Sequence, residues 1–306
     1  MKKRTDIPTL PPHAKRHLGI KATNAISNAV IYFLLAVITV IWLFPFVCIV
    51  LQSFESAPNR TGMSGNILPV EWGLRNYKEL FAEGSPFVKW YINTFVIAVC
   101  AAFGVTLFQL CMSYTLSRFR FKLRKPLMQF MLILGMFPGM LGMIILYNVL
   151  KGFTPGSVGL TQANAVPVLI LVSIASSGMG YYVAKGFFDT IPKSLDEAAR
   201  IDGATRLQIL IKVILPLAKP IVIYTVLMGF MAPWGDFMLA SYIIHENSAG
   251  MSVAVGVYEW LSKTMVNTNY TMFCAAGVIV AVPVTAVFLA LQKYYVEGVT
   301  GGAVKG

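Results

Sequence analysis

Charge is what this sequence has least of. Only 12% of its 306 residues are Asp, Glu, Lys or Arg, about half the share found in soluble domains. A soluble globular domain, a disordered chain and a coiled coil all need more, and the composition excludes them. Histidine is scarce and scattered, at His13, His17 and His245, so no histidine metal constellation forms. The four cysteines, Cys48, Cys100, Cys111 and Cys274, fall inside apolar stretches. They read as inert packing thiols and offer no disulfide framework. The pattern G-x-x-x-x-G-K-[ST] is missing, so the chain has no P-loop to cradle a nucleotide.

What the chain does have is long apolar runs. Apolar residues make up 57% of it, and mean hydropathy is +0.68. A membrane helix needs about 20 apolar residues at 1.5 Å rise each. Six stretches qualify: 29–51, 90–114, 127–150, 166–188, 221–244 and 272–291. The expected fold is an all-α integral membrane protein with six transmembrane helices. Pro45, Pro138, Pro167, Pro233 and Pro283 interrupt these runs, and packing kinks account for them. The first run has a basic segment before it but starts late and lacks a clear small-residue cleavage site, so it reads as a retained signal anchor.

Lysine and arginine set the orientation. Segments 1–27, 118–125, 185–219 and the residues after the sixth run hold 19, against 6 in the alternate loops. The positive-inside rule then puts both termini and loops 118–125 and 189–216 in the cytoplasm. The expected organisation is a cytoplasmic tail at 1–27, a transmembrane domain at 28–295 with a cytoplasmic loop at 189–216, and a cytoplasmic tail at 296–306. The net charge of +12 is distributed as topology signals in short blocks rather than as a nucleic-acid surface. The basic run 118–125 reads as a stop-transfer anchor, with anionic lipid as its alternative ligand.

The loop at 189–216 carries the most specific signals. Ser194-Leu195-Asp196-Glu197 has the form of a capping box. Asp196 and Glu197 suit the positive end of a helix dipole, and Arg200 is spaced to pair with either. Gly203 is placed to stop that helix. A second capping box follows in Thr205-Arg206-Leu207-Gln208, with Leu207, Leu210, Ile211 and Ile214 expected on one face. Pro216 bends or ends this second helix. Ala198 and Ala199 leave the short helix without bulk, so another protein can approach its backbone. An ordinary surface connector is the competing reading.

Glu197-Ala198-Ala199-Arg200-Ile201-Asp202-Gly203-Ala204 followed by Leu215-Pro216 resembles the EAA loop of bacterial ABC importer permeases. Val213 stands where that pattern has Ile. Asn76-Tyr77-Lys78-Glu79-Leu80-Phe81 with Asn93-Thr94, Trp234-Gly235-Asp236-Phe237 and the terminal Gly301-Gly302-Ala303-Val304-Lys305-Gly306 resemble the maltose-type carbohydrate branch, with Gly235 departing from the usual Asn. The likeness covers nearly all of the chain beyond residue 27. It implies a type I importer permease of the bacterial cell membrane that pairs with a second related permease. It also implies two cytoplasmic ATPase subunits, which carry the ATP and Mg, and an extracytoplasmic sugar-binding protein. The chain itself would be no enzyme and bind no cofactor or metal. By that resemblance Ser194, Glu197, Ala198, Ala199, Asp202 and Gly203 form the ATPase-coupling site.

Asp236 is the one acidic residue placed well inside a run. A carboxylate at mid-membrane costs at least about 2.5 kcal/mol, so it needs a cavity, a partner or backbone donors. Trp234 and Asn93 join it as candidates for the substrate path, against the plainer roles of interfacial anchor and helix packing. Gln109 and Asn148 are further polar candidates. Gly135, Gly139 and Gly142, beside Met136, Met140 and Met143, suggest close helix packing. Loops 53–89 and 245–271 are candidate receiving surfaces for an external protein. Two other classes compete: a self-contained secondary transporter, which would show paired broken helices and midplane ionisable groups, and a membrane scaffold. A permease for a non-carbohydrate solute is a further alternative.

Overall fold

The computed structural model describes residues 20–57, 66–137, 139–152, 165–244, 250–261 and 266–303. Most of the expected N-terminal tail and residues 304–306 of the C-terminal one lie outside these. Contacts divide the chain at Cys48 and Ile49 into two units. The first holds most of α1 (Ile20–Ser53), whose side chains from 27 to 47 are exposed and almost uniformly apolar.

The second unit is helical, and its extended pairing among the described residues is one isolated bridge between Glu55 and Trp72. In order come α2 (Arg75–Leu80), α3 (Phe87–Arg118), α4 (Arg124–Gly135), α5 (Gly139–Gly152), α6 (Ala165–Ser176) and α7 (Tyr181–Thr190). Then follow α8 (Ser194–Ile201), α9 (Arg206–Ile209), α10 (Leu215–Leu217), α11 (Lys219–Gly235), α12 (Met238–Ile244), α13 (Val253–Glu259) and α14 (Val266–Ala303). Among the described residues three helices are long and apolar enough to cross a membrane, or up to five if two bent pairs each count as one span.

The expected third span, 127–150, is divided between α4 and α5. Pro138 has no amide to give and disfavours helical geometry in the residue before it, and glycines flank it at 135 and 139. The expected fourth span bends through a 3-10 turn at Ser177–Gly180. That bend frees carbonyls, and α3 satisfies two of them. Gln109 Nε2 donates to the Ser177 carbonyl at 2.9 Å and Ser113 Oγ to the Tyr181 carbonyl at 2.8 Å. Gln109 is thus a structural group, as a bundle without water requires.

α3 is the central element, packed on α6, α7, α11 and α13. In lipid, helices associate through close packing, since the surrounding chains are as apolar as the side chains. Ala98, Ala101 and Ala102 accordingly form a buried small stripe on α3. Gly229 of α11 lies against it so closely that a Cβ would fall 2.9 Å from the Ala102 Cα. Of the three glycines around the third stretch, Gly135 packs against Met179, whereas among the described residues Gly139 and Gly142 meet no neighbour within 4 Å of a Cβ.

Where α3 begins, Phe87, Trp90, Trp234 and Trp260 build one apolar cluster. A polar network borders it. Glu55, 2% exposed, accepts backbone amides of Ala57 at 3.0 Å and Val70 at 2.8 Å. Asn76 donates to the carbonyls of Ser53 and Glu55 and accepts from Thr271 Oγ1 at 3.1 Å. The segment 66–80, part of the expected receiving loop, is therefore pinned to the start of α14. Where α3 ends, Leu110, Tyr114, Phe188, Ile191, Ile209 and Ile214 form a second cluster. That cluster underlies the loop singled out in the sequence.

Candidate coupling helix and transport path

α8 carries the residues expected at the coupling site. Its first turn differs from the expected capping box. The turn begins at Pro192, whose carbonyl accepts the Leu195 amide at 3.3 Å, and Lys193 is already helical at φ −68° and ψ −21°. Ser194 is therefore inside the helix, and no side chain caps the N-terminus. The proline supplies the reason, since its fixed φ suits a first helical turn. The C-terminus behaves as expected. Gly203 takes φ +80°, its amide reaches the Arg200 carbonyl at 3.0 Å, and the Ala204 amide reaches the Ala199 carbonyl at 2.9 Å. This is a complete Schellman closure around a left-handed glycine.

The second capping box forms fully. Thr205 Oγ1 accepts the Gln208 amide at 3.3 Å, and Gln208 Oε1 accepts the Thr205 amide at 2.8 Å. The apolar face after it departs from expectation. Ile209, Leu210 and Ile214 are buried, whereas Leu207 is 64% and Ile211 52% exposed. Residues Leu210–Ile214 form a π turn. Its wider register carries Ile209 and Ile214 onto one side and rotates Leu207 and Ile211 out. The α9–α10 segment then meets α11 at 87°.

The outer surface of this loop is small, acidic and apolar together. Ser194, Glu197, Ala198, Asp202 and Gly203 are exposed, with Ile201 at 87%, while Ala199 is half-buried against the second cluster. Asp196 does the opposite. It is buried, and its Oδ2 lies 2.9 Å from Arg118 Nε in place of the expected Arg200 partner. Arg118 Nη2 also donates to the Ile191 carbonyl at 3.0 Å. Beside it, Ser117 Oγ donates to Asp189 Oδ1 at 2.6 Å, and Lys185 Nζ donates to Asp189 Oδ2 at 2.5 Å. Burial raises the Asp189 carboxyl, but the hydrogen bonds from Lys185 and Ser117 outweigh that and leave it below the usual carboxylate range. Tyr114 Oη donates to the Arg206 carbonyl at 3.2 Å, and the Arg206 guanidinium lies 4.6 Å from the Phe119 ring centre. None of these ties was foreseen. Apart from the Lys185–Asp189 pair, at i,i+4 spacing on α7, each joins residues more than seventy positions apart and leaves no local pattern.

The substrate-path candidates each touch the apolar cluster at the start of α3. Trp234, 5% exposed, packs with Tyr91 at 5.3 Å and Phe230 at 6.1 Å between ring centres. This is a core position, and among the described residues its indole nitrogen has no hydrogen-bond partner. Asp236 is half-buried at the break between α11 and α12, where its Oδ1 accepts the Leu239 amide at 3.1 Å. Backbone donors thus meet the need that a carboxylate there creates. Asn93 Nδ2 donates to the Met251 carbonyl at 3.0 Å, and Thr94 Oγ1 next to it accepts the Val253 amide at 2.8 Å. This pair fastens the start of α13 to α3. Among the described residues no group of three or more His, Cys, Asp or Glu side chains is arranged to hold a metal ion.

Apolar helices interrupted at several points, and a loop closed by a Schellman turn and a capping box, define a helical architecture with membrane-span candidates. The chain belongs to the family described as binding-protein-dependent transport system inner membrane component, which matches residues 109–301. It is 35% identical over 278 residues to the galactooligosaccharides transport system permease protein GanQ of Bacillus subtilis (strain 168), covering 90% of this chain and 94% of that one. It is 32% identical to the maltodextrin transport system permease protein MdxG of the same organism, covering 94% of this chain and all of the other. With the maltose/maltodextrin permease MalG of Escherichia coli (strain K12) it shares 34% over 224 residues, covering 72% of this chain and 73% of that one. A crystal structure of a bacterial ABC transporter that imports the acidic polysaccharide alginate has the same fold, with a TM-score of 0.70 at 24% identity over 89% of this chain and 98% of that one.

Proposed function

We propose that this chain is the permease subunit of an ATP-driven carbohydrate importer in the bacterial cell membrane. It crosses the membrane six times with both termini cytoplasmic, α4 and α5 together supplying one crossing. It forms half of a translocation path with a second related permease. An extracytoplasmic binding protein delivers the sugar, an oligosaccharide being favoured by the relatives' names. Two cytoplasmic ATPase subunits hold the ATP and Mg, and the chain binds no cofactor of its own.

One observation carries the reading. α8 presents Glu197, Ala198 and Asp202 outward while its C-terminus is locked at Gly203. Exposed small residues let a cleft close over the backbone, and Glu197 offers it a charge to pair with. Ser194 and Ala199 flank that surface and complete it.

The test is a tagged purification in mild detergent, with co-purifying chains identified by mass, followed by uptake in proteoliposomes. A second permease and an ATPase should accompany the wild type, and uptake should need ATP. Glu197→Lys should insert normally and lose most of the ATPase. A chain that purifies alone and transports without ATP would overturn the proposal and turn attention to Asp236 as an ion-coupling site. Uptake that responds to a non-carbohydrate solute would correct the substrate alone.

A further inference from the structure

The last two residues of α3 both reach the segment that carries α8. Ser117 holds Asp189 at the end of α7. Arg118 holds the Ile191 carbonyl in the connecting turn and Asp196 in the first turn of α8. Three successive points, at 189, 191 and 196, are thus tied to one helical turn. The Arg118 side chain is 3% exposed and that of Asp196 12%. An ion pair so enclosed differs from a surface pair: taking two charges out of water is costly, and breaking the pair leaves either charge uncompensated.

Asp196 and Glu197 divide the helix between them, one turned in to α3 and the other turned out. We propose that the Arg118–Asp196 pair is the joint through which movement of a docked α8 reaches α3, and so the rest of the bundle. This rests on the reading of α8 as the ATPase-docking helix. Arg118 and Asp196 are positioning residues, touching neither nucleotide nor solute.

Charge suits this task better than apolar packing. Apolar surfaces slide past one another at little cost, whereas separating an enclosed ion pair strands two charges. The guanidinium fork grips a carboxylate and a carbonyl together, so α8 and the turn before it move as one. The receiving element is well chosen, since α3 contacts α6, α7, α11 and α13. Arg118 Nε and Asp196 Oδ2 form an ion pair at 2.9 Å, and among the described residues Arg118 Nε, Arg118 Nη1 and Asp196 Oδ1 make no hydrogen bond. A small rotation of either side chain would bring a guanidinium N–H into line with a carboxylate oxygen, which gives the joint another arrangement within reach.

The experiment compares the full complex in proteoliposomes for wild type, Arg118→Gln, Arg118→Lys, Asp196→Asn and the exchanged pair Arg118→Asp with Asp196→Arg. ATPase co-purification, ATP hydrolysis and solute moved per ATP are read separately. The single neutral variants should keep ATPase association and hydrolysis yet lose about tenfold in solute moved per ATP, the scale of a typical coupling energy. Arg118→Lys should fall between, because an ammonium cannot grip both points. The exchanged pair should recover part of the loss, because it restores the charge pairing but not the donor to the Ile191 carbonyl. A wild-type ratio in Arg118→Gln would overturn the proposal. So would single variants that fail to assemble and are not rescued by the exchange, which would make the pair a folding contact. A wild type that brings down no ATPase would overturn the docking reading first, and the joint with it.

Discussion

Asp189 shows how two neighbours outweigh burial on one carboxylate. Its folded pKa lies below the ordinary value because Lys185 and Ser117 hold the charged form. A group lowered in the folded state adds stability that is fully present above the unfolded pKa and is lost as pH falls through the folded one. The melting temperature of Asp189→Asn in detergent should therefore lie a constant interval below wild type between pH 6 and 8. The interval should shrink below about pH 4, where the unfolded carboxyl begins to take up its proton. An interval independent of pH down to acid would show that the side chain contributes through shape alone. Trp234 carries a different lesson at this scale. Its sequence setting suggested a place on the substrate path, an interfacial anchor or helix packing, and Tyr91, Phe95 and Phe230 pack around it. An aromatic in an apolar run has the same local signature in each of these places.

At the scale of elements, the contact of α3 with α11 depends on a missing side chain. With the Ala102 backbone 2.9 Å from any Cβ at position 229, even a small addition must push two helices apart. Gly229→Ala should cost about 1–3 kcal/mol in detergent unfolding, the range of core overpacking. Gly186, a helical glycine of α7 with open space around it, is the matched control. Gly186→Ala should be neutral or raise stability by up to about 1 kcal/mol, through helix propensity alone. Equal effects at both positions would remove the close-approach explanation. The termini of elements were legible when local chemistry set them, as with Gly203 and the Thr205–Gln208 box. The start of α8 was not, because Pro192 moved it by one residue and so turned a sequence match to a capping box into an ordinary helical turn. The face of α9 was misread because the periodicity of 3.6 does not hold through a π turn.

On the scale of the whole molecule, the family and the helical class were legible from composition and from one extended motif. The partners of Arg118 and Ser117 were not, since tertiary ion pairs have no sequence period. The division of the third apolar run into α4 and α5 was half visible, as a proline between two glycines. The expected topology makes a direct prediction. Single cysteines placed at exposed positions 120 and 207 should react with a membrane-impermeant thiol reagent from the cytoplasmic side alone, and one at exposed position 83 from the outside alone. The exposed native Cys100 and Cys111 are replaced by serine beforehand. Labelling of 83 and 207 from the same side would refute the assigned orientation.

The corner between α10 and α11 has a mechanical consequence. Ala218 at its apex is fully buried, and its carbonyl accepts the amides of Ile221 at 3.0 Å and Val222 at 3.1 Å, while its own amide reaches Ile214 at 2.8 Å. Pro216 and Pro220 fix the backbone on either side. With both arms so held, the angle behaves as a welded bracket rather than a hinge. A tilt imposed on the arm lying across must reappear as a tilt of α11. Because Gly229 leaves no slack between α11 and α3, that tilt has nowhere to dissipate before it reaches the middle of the bundle.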